Sequence, residues 1–431
     1  MSPAPQHAGT VSFEDARHIV EQHASQISPG DVESTGLLSA SGRVLAEPIS
    51  ADRDLPPFPR ATRDGYAVRA ADVAQVPVRL ALIGESKAGA FDPQLRITQG
   101  QAVAIMTGAP LPPGADAVVM VEYTSQAGQA VEIKRSVTAG ENYVPRGAEA
   151  HQGQLLVDRG TLLDHATIAI AASVGMSRLP VFRKPRIAVL STGDEIVPIE
   201  TSPGPAQIRN SNTYSLAAQV LAAGGEPVPL PIAPDEPKQL RSLIEEGLGS
   251  DLLLLTGGVS MGKYDLVEQV LAELKAEFYF TGAQIQPGRP IVFGSCGADI
   301  PVRVSAASPP SARAGLSAPH KYFFGLPGNP VSTMVTFELF VRPVVHALAG
   351  MKPRPLIFLK ARLKSEIRTK TSLKRFLPAL LSGEFENAEI ELARWEGSGD
   401  VAAQARANCY LVIPPDREQI SAGEWVSLLM R

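Results

Sequence analysis

Apolar positions change their spacing several times along the chain, and each change predicts a different element. Phe13, Ala16, Ile19 and Val20 keep helical spacing, with Ser12 and Asp15 as a capping pair, so about 12–24 is expected to be an amphipathic helix. From about 37 to 160 the runs turn short and β-rich. Runs at 76–83, 102–106, 117–121 and 131–133 alternate with Gly/Pro turns such as 109–114, which reads as an all-β region. Asp164 is placed to cap a helix through Ser173, with Gly175 as its stop.

Near Pro185 strand and helix begin to alternate. A strand at 187–190 precedes helices at 213–223 and 236–246. An apolar strand at 252–255 follows, then helices at 264–274 and 330–348. This is the spacing of βαβ units and implies a parallel, doubly wound sheet. Ligands in such sheets sit beyond the carboxyl ends of the strands, which singles out the loops 191–195 and 256–265. After Lys352 the period becomes two. Charged Lys360, Arg362, Lys364, Glu366, Arg368 and Lys370 alternate with Leu359, Ala361, Leu363, Ser365, Ile367 and Thr369, as on a half-buried strand. With runs at 389–392, 410–413 and 425–429 this predicts a small β-barrel or sandwich. The expected architecture is therefore multidomain α/β plus β. A helix and β-rich region of two subdomains fills 1–180, a central doubly wound α/β domain 181–350, and a C-terminal β-barrel 351–431. A Ser/Ala/Pro-rich stretch at 295–320 reads as a flexible surface insertion.

Composition narrows the function classes. The 431 residues carry 40 Lys+Arg against 44 Asp+Glu, a net charge of −4, which does not suit a binder of nucleic acid. Aromatic residues are only 6%, too few for base-stacking surfaces as the main business. Two cysteines, Cys296 and Cys409, cannot build a disulfide framework or a Cys-rich metal site, and fit a reducing, cytoplasmic setting. The first ten residues lack a secretory pattern, and no apolar run is expected to span a membrane. Neither a His-Glu-x-x-His pattern nor a Gly-x-Ser-x-Gly elbow is present.

The loops carry the candidate chemistry. Thr256-Gly257-Gly258-Val259-Ser260-Met261-Gly262-Lys263 joins a strand to a helix, a natural cradle for phosphate. Gly257 to Lys263 matches P-loop spacing, but Tyr264 stands where a nucleotide P-loop needs a small hydroxyl on magnesium. The cradle is either an anion site or a tight turn. Thr192-Gly193-Asp194-Glu195 ends the first strand of the same block. Its two carboxylates beside a phosphate would need a divalent cation, to which Asp235 and Asp265 are further candidate ligands; otherwise Asp194 caps a turn and Glu195 is solvated. Gln286-Pro287-Gly288-Arg289-Pro290 and Gly325-Leu326-Pro327-Gly328-Asn329-Pro330-Val331-Ser332 suit a small oxyanion, or are structural turns. Lys352 to Arg375 holds nine Lys/Arg and one acid. It is either a solvated strand face or, at Arg375, counter-charge for an anion.

Six loops together resemble one family. Leu55-Pro56-Pro57-Phe58 with Asp64-Gly65-Tyr66-Ala67-Val68, Met106-Thr107-Gly108-Ala109, Ser191–Glu195, Thr256–Gly262, Pro287–Pro290 and Gly325–Ser332 are similar, in this order, to the MoeA/gephyrin E-domain family of molybdopterin molybdenumtransferases. The resemblance covers roughly 12–430. It implies an enzyme that inserts molybdate into the dithiolene of adenylylated molybdopterin, with magnesium and with release of AMP. It also implies an elongated homodimer whose cleft lies between the α/β domain of one subunit and the β-rich domain of the other. Asp64, Thr107, Glu195 and Asp265 would be the catalytic residues, with Asp64 and Thr107 reaching across the dimer. Thr192, Gly193, Asp194, Glu195, Gly257, Gly258 and Ser260 would line the pterin/AMP side, with Asp235 and Asp265 near magnesium. Arg289, Pro290, Ser332, Arg375 and Ser398 match the family's molybdate pocket. The expected partners are molybdopterin-AMP, molybdate, a second copy of the chain and the molybdopterin adenylyltransferase.

Two departures stand out. Gln286 and Gly282 occupy positions that are often basic in the family, so anion capture is expected to weaken unless Arg289 or Lys263 compensates. Arg60 and Arg63 flank the Asp64 motif and are a further source of positive charge. The competing readings are the preceding adenylyltransferase step, a non-catalytic scaffold, and last a P-loop NTPase.

Overall fold

The structure is a computed structural model that describes residues 9–90, 92–258, 266–297, 321–369 and 372–431. The 295–320 insertion lies outside these residues from 298 onward.

The N-terminal helix spans Phe13–Gln26, capped by Ser12, whose hydroxyl accepts from the Asp15 amide at 3.0 Å. Its buried stripe of Phe13, Ala16, Val20 and Ala24 packs on the α/β core rather than on the β-rich region that follows it in sequence. The Phe13 ring lies 5.0 Å from Phe376 and 6.0 Å from Phe340. Just before the helix, Thr10–Val11 pairs in parallel with Gly282–Ala283.

The β-rich region has two parts with separate cores. A six-stranded sheet runs in the order Ala117–Met120, Gly65–Val68, Gln101–Ile105, Val78–Ser86, Ala130–Ile133, Thr124–Ala127. The second part pairs Val32–Gly36 with Arg178–Phe182 and carries the helix His165–Ser173. Asp164 and Thr167 close a capping box on that helix, and Gly175 stops it at φ 78°.

In the central block the sheet order is Glu226–Pro229, Arg186–Ser191, Leu252–Thr256, Lys321–Leu326, Val292–Cys296, Glu277–Phe280. The first four strands are parallel. The last two join by antiparallel pairings, Val292–Cys296 running against the other strands, an arrangement that strand-and-helix counting does not reveal, because a short apolar run has no direction written in it. Burial alternates along the central strands. Ile187, Val189, Leu252 and Leu254 face one core with Leu216, Val220, Val331 and Val335. Ala188, Leu190, Leu253 and Leu255 face the other with Leu240, Ile244, Val267 and Val270. Helices therefore cover both faces. Each fully buried leucine contributes about 1.5–3 kcal/mol.

The run Pro330–Leu348 is 19 residues long and apolar enough, by length and composition, to cross a membrane, contrary to the expectation that no run reaches that length. It is 72% buried inside the fold and serves as a core helix. Its middle widens into a π-turn at Phe337–Val341, just before Pro343, which has no N–H to give to the preceding turn.

The C-terminal strands Lys374–Ser382, Glu389–Leu392, Phe358–Leu363, Trp425–Met430 and Cys409–Ile413 close into a five-stranded barrel. The alternation from Leu359 to Lys370 is not one strand. It breaks after Leu363, and Ile367–Arg368 leaves the barrel to pair with Gln419–Ile420. Leu359, expected inside, is 44% exposed. The short strand Ile285–Gln286 joins the barrel strand Lys374–Ser382 in parallel, so the α/β and barrel units share a sheet edge.

Candidate functional site

Three loops meet at the carboxyl ends of the central parallel strands. The second strand pairs on one side of the first and the third on the other, so the crevice between Arg186–Ser191 and Leu252–Thr256 is a topological switch point. Thr192 donates its amide to Thr256 O at 3.0 Å, and Gly193 donates to Ala233 O at 3.2 Å. A Cβ on Gly257 would lie 2.4 Å from Thr192 O, and φ there is 90°, so only glycine lets the two loops touch. The third loop is tied in by Thr256, whose hydroxyl donates to Pro327 O at 3.2 Å. Asn212, in the first turn of helix Ser211–Ala222, donates to Thr256 Oγ1 at 2.9 Å and to Gly328 O at 2.7 Å. Sequence reasoning missed Asn212. Its only signal is its place just after the capping Asn210 at a strand-end helix.

Among the described residues, two polar atoms in this crevice are buried without a hydrogen-bond partner: Thr192 Oγ1 and Asn212 Oδ1. Thr192 as a whole is 3% exposed. Buried polar groups are almost always satisfied, and leaving one unmade costs about 1–3 kcal/mol. An orphan hydroxyl at a switch point is therefore a place where a ligand group can complete the bonding. Beside it opens a cleft of about 560 Å³ whose walls include Gly193, Asp194, Asn210, Tyr214 and Pro231.

The carboxylates of this region are arranged as follows. Asp194 Oδ1 accepts from the Asp235 amide at 3.1 Å, so Asp194 both caps a turn and draws the two acidic residues together. The Glu195 carboxylate folds back on Gly193, where an added Cβ would meet it at 2.4 Å. These are hard oxygen donors suited to magnesium in kind. Among the described residues, however, no group of three His, Cys, Asp or Glu gathers where it could hold a metal ion. Ser260 and Asp265, and the P-loop-like Lys263–Tyr264, lie outside the described residues.

A second group forms where the α/β block meets the barrel. Arg375 is the register partner of Gln286 across the shared sheet edge. Its Nε donates to Gln286 Oε1 at 2.9 Å and its Nη1 to Thr369 Oγ1 at 2.5 Å, while burial lowers its pKa. Gln286, noted in the sequence only for its missing charge, and buried Thr369, not singled out at all, are thus its neighbours. Gly288, at φ 104°, is pressed against the helix carrying Ser332, since a Cβ there would lie 2.4 Å from Thr336 Cγ2. The buried Ser332 sits in that helix's first turn, and the preceding Val331 amide donates to Ser398 O at 2.9 Å. Arg289 is exposed beside Pro290, its carbonyl accepting from Ala283 at 3.0 Å. Arg289, Pro290, Ser332, Arg375 and Ser398 are thereby brought to one boundary. Gly282 is buried under the N-terminal strand, and a Cβ would lie 2.6 Å from Thr10 Oγ1.

Four of the nine cations in the basic run are ion-paired. Lys352 pairs with Asp158, Lys364 with Glu391, Arg368 with Glu366 and Lys374 with Glu14. Arg60 pairs with Glu149. Asp64 and Thr107 form their own exposed pair, just before strand Gly65–Val68 and just after strand Gln101–Ile105, and no hydrogen bond or ion pair among the described residues joins them to the other two groups.

Comparison with known proteins covers nearly the whole chain. Residues 11–175 match the MoeA N-terminal region (domains I and II), 188–347 a probable molybdopterin-binding domain, and 360–430 the MoeA C-terminal region (domain IV). The chain is 34% identical to the molybdopterin molybdenumtransferase of Nostoc over 99% of its own length and 96% of the relative's. It is 32% identical to that of Bacillus subtilis, covering 93% and 90%. Two crystal structures of the molybdopterin biosynthesis MoeA protein from Pyrococcus horikoshii superpose with TM-scores of 0.76 and 0.69. They are 28% and 33% identical, cover 98% of this chain in both cases, and are themselves covered to 100% and 99%.

Proposed function

Since the chain belongs to the MoeA family of molybdopterin molybdenumtransferases, we propose that its two loop clusters divide one reaction between them. The enzyme acts in molybdenum cofactor biosynthesis. In this reading the switch-point crevice takes adenylylated molybdopterin, with Thr192, Gly193, Asp194, Glu195, Gly257, Gly258 and Ser260 around it. The boundary group of Arg289, Pro290, Ser332, Arg375 and Ser398 takes molybdate. Molybdenum passes to the dithiolene and AMP is released.

The orphan Thr192 hydroxyl carries the first half of the reading, because among the described residues it has no partner. The residue types suit the second half, since a dianion calls for cations and N–H or O–H donors. Positioning and electrostatics supply the rate, as no nucleophile–base pair is required. Magnesium, held by Asp235 and Asp265, would offset charge on the phosphoanhydride as its bond to AMP breaks.

Asp64 and Thr107 belong, in this reading, to the site of a second copy in a homodimer. The upstream adenylyltransferase would hand over its product by contact. The two buried, unpaired cysteines fit a reducing cytoplasm. The deciding experiment supplies purified protein with molybdopterin-AMP, molybdate and magnesium and follows AMP. Molybdate-dependent release is expected, and release that ignores molybdate overturns the proposal.

A further inference from the structure

Arg375 is oriented by two neutral groups, whereas Lys364, Arg368 and Lys374 in the same basic run each meet a glutamate. The difference matters for capture of an anion. A carboxylate orients a guanidinium but also cancels its charge. An amide carbonyl or a hydroxyl orients it and leaves the charge in place. A guanidinium has more N–H groups than the two used here, so donors remain for a ligand.

The arrangement is anchored by backbone. Ile285–Gln286 pairs in register with Lys374 and Arg375, which puts residue 286 directly beside the arginine. Thr369, on the other side of the guanidinium, is 6% exposed. The turn that follows Gln286 reaches Thr336 and the Ser332 helix, so an arginine fixed on Gln286 is fixed relative to that helix as well.

We propose that Gln286 is a positioning residue for oxyanion capture, holding the Arg375 guanidinium through Nε without neutralising it. This rests on the assignment of Arg375 to the molybdate pocket. It also gives the unusual glutamine a role: where a lysine would add a second charge, Gln286 aligns the one already present. A lysine at 286 has no acceptor for Nε and sets a like charge against the arginine.

The test uses inorganic molybdate as probe, with calorimetric titration of the full-length protein and its Arg375→Ala, Gln286→Ala, Gln286→Glu and Gln286→Ala/Arg375→Ala variants. Thermal melts run alongside to confirm folding. Gln286→Ala is expected to weaken binding roughly tenfold, the scale of one charge-assisted hydrogen bond lost or misaligned. It should add nothing further once Arg375 is alanine, because it acts through that residue. Gln286→Glu should weaken binding more, since its carboxylate cancels the cation. In turnover, KM for molybdate should rise with kcat little changed. Loss in Arg375→Ala with undiminished binding by Gln286→Ala overturns this proposal alone, and so do independent, additive losses. Undiminished binding by Arg375→Ala overturns the pocket assignment and this proposal with it.

Discussion

Asp64 takes two hydrogen bonds from Thr107 on a single carboxylate oxygen, one from the amide at 2.6 Å and one from the hydroxyl at 2.8 Å. The amide bond first, then the hydroxyl bond, hold its pKa below the usual carboxylate range, so Asp64 is a fixed anion on an exposed surface. Its main chain is fixed too, since the carbonyl accepts from Val121 at 3.0 Å. A carboxylate held this firmly at the surface, yet bonded to neither loop cluster, fits one presented to a second subunit.

That placement gives a test by mixing. Asp64→Asn and Arg375→Ala are each expected to abolish molybdate-dependent AMP release without unfolding the protein. If each site combines Asp64 of one subunit with Arg375 of the other, a mixed dimer carries one doubly defective site and one intact site. With random assortment, about a quarter of the normal activity returns. Sites built within single subunits give no recovery when the two variants are co-expressed, and that outcome would remove the composite site.

Thr192→Val separates folding from binding. The wild-type hydroxyl is buried and has no partner among the described residues, so its loss should leave stability unchanged or raise it by up to about 1 kcal/mol. If the hydroxyl instead meets the pterin substrate, KM for molybdopterin-AMP should rise by roughly five- to fiftyfold. Urea unfolding and turnover measured on the same preparation decide it. A destabilised variant with an unchanged KM would show that the hydroxyl serves the fold.

Gly257→Ala should fail for a backbone reason. Its φ is 90°, and the new Cβ would sit 2.4 Å from Thr192 O. The contact is with backbone, so one loop must move. A stability loss of about 2 kcal/mol or more is expected, with near-complete loss of activity. Gly89→Ala is a useful comparison: it too has positive φ, at 79°, but meets nothing within 4 Å, so its cost should be the smaller strain term and its activity should stay normal.

What was legible in the sequence was local or periodic. Ser12, Asp164 and Gly175 marked helix ends because capping is chemistry between near neighbours. Leu252 to Leu255 announced a buried strand because both of its faces are covered. Features set by distant chain segments were not legible. The antiparallel pairing of Val292–Cys296 with Lys321–Leu326, the packing of Phe13 on Phe376, and the Gln286–Arg375 bond join residues far apart in sequence. The break after Leu363 was hidden for a related reason, since its charge alternation continues smoothly while its pairing partner changes from Trp425–Met430 to Gln419–Ile420. The loop motifs pointed to the site, but the orphan hydroxyl that marks the crevice emerges only when three strand ends are assembled.

The helix Arg342–Leu348 carries its own pH signature. Burial, then the neighbouring Arg342 cation, push His346 down from 6.5 to about 4; Glu338 opposes the shift and Arg354 adds to it. Glu338 is itself held by Arg342 at 2.5 and 2.8 Å and by Gln219 at 2.7 Å, so it stays engaged with other partners. Between about pH 6.5 and 4 the unfolded chain binds a proton at this histidine that the native state does not. The contribution is therefore fully present above about pH 6.5 and is lost as the pH falls, levelling off near 4. The gap corresponds to about 3 kcal/mol at most. Urea unfolding from pH 7.5 to 4.5 should show the wild type losing more stability than His346→Phe, with a difference that grows steadily as the pH drops through that window. Parallel pH profiles for the two proteins would mean that His346 is not a source of acid sensitivity.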